Sequence, residues 1–163
     1  MLIEKIQDLV HRALTLHEAG DFESAETLFL EALYLFDDKE NKLYQLVVYG
    51  LGINYAAQKN YDGAKRCFEE GRINAEKVMN IPHELEMYQQ LVVLMRESGD
   101  YEATEVLIKE EIRYRKKQVP DDYEGLAAAY YEAAKLYKLW DKENKLKEVL
   151  KQATLYSEKA NKV

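Results

Sequence analysis

The sequence predicts an all-α fold, an α-solenoid of about four helix-turn-helix units. Three observations point there. The 163 residues hold only 7 Gly and 2 Pro, too few for a chain of strands and tight turns, beside abundant Ala, Leu, Glu and Lys. One short signature recurs along the chain, as AGDFESAETLFLEAL from Ala19, KNYDGAKRCFEEG from Lys59 and SGDYEATEVLIKEEI from Ser98. A second apolar pattern with helical period precedes each copy.

Each signature begins with a polar break and an aromatic residue (Phe22, Tyr61, Tyr101), then a small and a bulky side chain four apart. The pairs are Ala25/Phe29, Ala64/Phe68 and Thr104/Ile108, with a fainter Leu146/Leu150 after Trp140; the first members of successive pairs lie 39, 40 and 42 residues apart. The upstream patterns are Leu9, Ala13 and Leu16; Val48, Leu51, Gly52 and Tyr55; Tyr88, Leu91, Val92 and Met95; Tyr130, Ala133, Ala134 and Tyr137. Each unit therefore reads as helix, tight turn, helix. Eight antiparallel helices are expected near 2–18, 22–36, 40–58, 61–79, 83–98, 101–118, 122–139 and 143–160, in units of about 2–38, 39–80, 81–119 and 120–163 of a single repeat domain. Gly20 and Gly99 can take the left-handed geometry that ends a first helix. Asp21, Asn60 and Asp100 can cap the second. Asp37, Asp38, Ile81-Pro82 and Pro120-Asp121-Asp122 separate the units.

Leu51-Gly52-x-x-Tyr55 followed by Tyr61, Ala64, Phe68 and Gly71 resembles the tetratricopeptide repeat (TPR), and Ala13, Leu16, Phe22, Ala25, Phe29 and Ala32 repeat the pattern. The resemblance covers nearly the whole chain; it is strong in the first two units, moderate in the third and weak in the fourth. Small residues such as Ala25, Ala64 and Gly52 let paired helices approach, and rings such as Phe68 fill the space beside them. Val92, Thr104 and Glu111 depart from it where small residues belong, and Glu143 stands where the aromatic belongs. The units exceed the usual 34 residues, and long second helices (Phe22–Phe36, Tyr61–Met79) would absorb the excess. In repeat length they are similar to kinesin light chains and to bacterial peptide-sensing regulators of the Rap and PlcR type.

Composition bounds the function. Thirty acidic against 23 basic residues leave a net charge of −7, which disfavours nucleic acid and anionic membrane. The N-terminus, MLIEKIQDLV, has no long apolar run and reads as no signal peptide, and no stretch is long enough to span a bilayer. Cys67 alone excludes a disulfide framework and suits a reducing cytoplasm. It is expected to be a buried, inert thiol. No catalytic group, metal site or cofactor is expected. His11 and His17 lie six apart and so face differently on one helix, and the three histidines, with His83, read as solvated. Gly50-x-Gly52 lies inside a helix, where close packing explains it. The chain is thus read as a non-enzyme.

In the TPR family, first helices line a concave wall of a right-handed superhelix. That resemblance places Gln7, Val10, Leu14 and His17 from unit one on the wall, Leu46, Tyr49 and Ile53 from unit two, Gln89, Val93 and Arg96 from unit three, and Tyr131, Lys135 and Lys138 from unit four. The first two units would offer an apolar strip and the last two positive charge. The expected partner is a protein or peptide segment with apolar anchors and acidic residues. From Lys135 onward eight Lys face four acids, a local +4 that fits a solvated capping helix or an acidic partner. The Lys and Asn clamp that chaperone-binding TPRs use for a terminal carboxylate is absent, since Val10, Leu14 and Gly50 hold its places. Two alternatives remain: a peptide-responsive regulatory module, and a homodimer through Leu2, Ile3 and Ile6. Against a complete regulator, no helix-turn-helix DNA-binding segment or N-terminal effector domain is expected before the repeats.

Overall fold

A computed structural model describes residues 1–162. Among them lie eight α-helices, α1 (Leu2–Glu18), α2 (Phe22–Tyr34), α3 (Lys42–Ala57), α4 (Tyr61–Lys77), α5 (Ile81–Glu97), α6 (Tyr101–Gln118), α7 (Tyr123–Leu139) and α8 (Glu143–Asn161). This is an all-α helical repeat. The contacts divide it into two compact units, Met1–Met87 and Tyr88–Val163.

Turn chemistry sets the helix ends. After α1, α3, α4, α5 and α7 the same closure recurs, a backbone N–H reaching the carbonyl five residues back (Asp21 to Leu16, 2.9 Å; Asn60 to Tyr55, 2.9 Å; Asn80 to Ala75, 2.8 Å). It needs one left-handed residue. Gly20 (φ +81°) and Gly99 (φ +82°) supply it as expected, whereas Lys59, Met79 and Asp141 adopt it at φ of 58°, 54° and 53° despite their side chains. Asp21, Asn60, Asp100 and Asp122 then accept a backbone N–H from the first turn of the next helix. Four boundaries differ from expectation by two residues. α2 stops at Tyr34, α3 starts at Lys42, α4 stops at Lys77, and α5 starts at Ile81, so that Pro82 sits inside its first turn, where its missing N–H costs nothing.

In the first unit α1 packs on α2, α2 on α3 and α3 on α4. Ile6, Leu9, Val10, Ala13, Phe29, Val47, Val48 and Leu51 form its core. Gly52 is required there, because a Cβ would stand 2.7 Å from the Phe68 ring. In the second unit α6 packs on α7 and α7 on α8, around Val92, Ile108, Ala133, Leu136 and Tyr137.

The departures from the repeat pattern are accommodated. Val92, Thr104 and Glu111 are all buried, Thr104 returning its hydroxyl to the Asp100 carbonyl at 2.7 Å and Glu111 pairing with Arg115. Glu143 is exposed, and Trp140 supplies a ring against Tyr101 instead, at 6.0 Å between centroids.

Candidate partner-binding faces

In the first unit, the expected wall residues divide by burial. Leu14 and Leu46 are exposed, Leu46 by 55%. His17, Tyr49 and Ile53 are half-buried. Val10 is a correction: at 7% exposure it belongs to the core, because α1 turns Ile6, Leu9, Val10 and Ala13 inward together. Ile6, expected on an exposed end face, is also core at 2%, leaving Leu2 and Ile3 exposed there.

His17 is not a solvated histidine either. Its Nδ1 lies 2.9 Å from Asn54 Oδ1, and Asn54 donates Nδ2 to the Phe22 carbonyl at 2.9 Å. Because the amide oxygen only accepts, the ring nitrogen is the donor. Asn54 is fully buried and ties α1, α2 and α3 together at one point. His83 is also mostly enclosed, with Nδ1 3.5 Å from Glu86. Tyr49 lies on the Phe68 ring at 6.2 Å, and burial followed by the Glu86 carboxylate pushes its phenol up. Cys67 is buried, as expected, and burial pushes its thiol up to about 12.

Leu46 marks an open recess of about 650 Å³ where the start of α3, the end of α4 and the start of α5 meet. Val78, Met79 and Pro82 share it with Leu46, and Glu40 and Lys42 stand at its charged edge. Gln45 and His83 also line it. Gln45 donates Nε2 to the Lys39 carbonyl at 3.2 Å, which fixes the amide and leaves Oε1 enclosed without a partner among the described residues.

In the second unit Gln89 and Val93 line a smaller recess of about 310 Å³, floored by Val92 and Ala129, with Glu111 and Glu132 in its wall. Tyr131 is 43% exposed, and Lys135 and Lys138 are exposed. The positive charge expected there is largely absorbed. Arg96 and Lys135 both close on Glu132, Lys135 at 2.6 Å. Burial works to raise the Glu132 carboxyl, but Lys135 and Arg96 outweigh it, so it ends below the usual range.

Exposed apolar side chains are not confined to first helices; Leu30, Ile73, Val106, Leu150 and Leu155 lie on second helices. Among the described residues, no three His, Cys, Asp or Glu side chains converge as metal ligands. No described helix is long and apolar enough to cross a membrane.

No family model matches the chain, and no curated protein does. Solved structures do. BtubC (BKLC) from P. vanneervenii superposes with a TM-score of 0.77 at 14% identity, over 96% of this chain and 64% of that one. Aspartyl phosphate phosphatase F from Bacillus subtilis gives 0.77 at 16% identity, over 100% of this chain and 43% of that one. The chain folds as a TPR-like helical repeat. It spans less than two thirds of either neighbour, so the TPR-like array corresponds to a part of each. The putative kinesin light chain TPR-like repeats of Podosopora anserina superpose more loosely, at 0.44 with 12% identity over 97% of both chains.

Proposed function

We propose that this TPR-like chain is a non-enzymatic cytoplasmic module that binds a protein or peptide segment through its first helices. The observation that carries the reading is the recess at Leu46. An apolar side chain more than half exposed, beside Val78 and Pro82 in an open space of about 650 Å³, can receive an apolar anchor. Leu14 on α1 and the half-buried Tyr49 and Ile53 on α3 add apolar character to the first helices of this unit. In the second unit Gln89, Val93 and Tyr131 offer amide, methyl and phenol groups. Arg96 and Lys135 act there as the supports of Glu132 more than as free cations for a ligand.

Affinity capture from the source cells with the wild type, Leu46→Asp and Leu30→Asp tests this. Each substituted leucine is exposed, so folding is retained. Loss of specific partners with Leu46→Asp and retention with Leu30→Asp is the expected result. Equal capture by all three removes the first-helix face from the account.

A further inference from the structure

A second surface lies on the opposite kind of helix. Between α6 and α8, above α7, a groove of about 570 Å³ has an apolar floor that includes Ile112, Ala133 and Val149. Its rim is basic, with Lys109, Arg113, Lys116 and Lys145 against the single carboxylate of Glu148. This stands out in a chain of net charge −7, all of which falls on residues 1–87, since residues 88–163 hold 14 basic and 14 acidic side chains.

The four cations are not equivalent. Lys109 and Lys145 share Glu105, at 3.2 and 2.5 Å. Arg113 has no carboxylate partner among the described residues. Lys116 donates to the Tyr130 hydroxyl at 3.0 Å and lies over the Tyr130 and Tyr156 rings at 5.6 and 5.9 Å. Phenol and ring faces hold its long chain in place without neutralising the charge, so little side-chain freedom is left to lose on binding. A guanidinium fork and an ordered ammonium beside an apolar floor match carboxylates flanking an apolar side chain.

From this we infer that the α6–α8 groove docks an acidic protein segment, its carboxylates on Arg113 and Lys116 and an apolar side chain between Ile112 and Val149. Nucleic acid fits less well. Its bases need open aromatic faces, whereas Tyr130 is already stacked on Tyr156 at 5.6 Å and 10°. This surface is separate from the Leu46 recess, and the two stand or fall independently.

The test uses the full chain with isotope-labelled methyl groups and three twelve-residue peptides, repeating Glu-Glu-Leu, Gln-Gln-Leu and Lys-Lys-Leu, with oligothymidine alongside. The Glu peptide should shift the methyl signals of Ile112 and Val149, more weakly as salt is raised, while the other three leave them unmoved. Arg113→Glu and Lys116→Glu should each lower its affinity about tenfold, and the double variant should take up the Lys peptide instead. Lys116→Arg and Leu46→Asp should bind as the wild type does. Silent Ile112 and Val149 methyls, equal binding of Glu and Lys peptides, or tighter binding of oligothymidine would each overturn the proposal.

Discussion

Arg115 donates its Nε to the Glu111 carboxylate at 2.8 Å, with the two side chains 5% and 2% exposed. The same guanidinium donates Nη1 to Asp122 at 3.0 Å, so the end of α6 is fastened to the cap of α7. Burial pushes the Glu111 carboxyl up, and Arg115 pulls it back. Glu111 is one of three residues, with Val92 and Thr104, that break the small-residue pattern of the third unit, and its charge is tolerated because Arg115 stands one turn later.

Removing Glu111 leaves the buried Arg115 charge with only the partly exposed Asp122, so Glu111→Ala should cost about 3 kcal/mol. Replacing both, as Glu111→Leu with Arg115→Met, should restore most of that, since Asp122 is 42% exposed and can be solvated. Urea unfolding midpoints of the wild type, single and double variants check this. Additive losses in the double variant would contradict the pairing.

Helix packing and turn geometry give substitutions of opposite sign. Gly52→Ala should destabilise by about 2 kcal/mol, because the new methyl meets the Phe68 ring at 2.7 Å and Cys67 Cβ at 3.0 Å. Lys59→Gly, at φ 58°, should instead stabilise by about 0.5 kcal/mol by relieving a left-handed side chain. Thermal melts of the two variants beside the wild type are sufficient to read both signs.

Glu105 predicts a pH dependence. Lys145 and Tyr137, with Lys109, hold its carboxyl down at about 2 from an ordinary 4.5. A folded value below the unfolded one means that the stabilisation is complete above about pH 4.5 and is lost as pH falls toward 2. Glu105→Gln should therefore be less stable than the wild type at neutral pH by about 1 kcal/mol, a partly exposed network being weak, and the difference should close in acid. A gap independent of pH would assign the Glu105 contribution to packing.

The helices were legible because their information is local. Apolar residues three and four apart, Gly20 and Gly99 at φ > 0 and Asp or Asn at the caps each act within one or two turns. The α2 boundary was less so, because Phe36 continues the apolar pattern past the end of the helix and packs on the first core from outside it. Side-chain partners were not legible. Arg96 and Glu132 are 36 residues apart, and His17 and Asn54 are 37 apart, so no spacing rule joins them. Asn54 did carry a trace, as the polar residue beside Gly52 and Ile53 in a mostly apolar helix. The expected wall mixed exposed Leu46 with buried Val10, because a family position gives the side of a helix only to within one residue.

The account turns on first-helix side chains of the first unit meeting the partner. A photo-reactive amino acid placed singly at Leu14, Leu46, Leu30 and Ile73, each exposed by 44–55%, reports contact directly in cells. Cross-links from Leu14 and Leu46 to one shared protein, with none from Leu30 or Ile73 on the second helices, are predicted. Cross-links to that protein from Leu30 and Ile73 alone would contradict it.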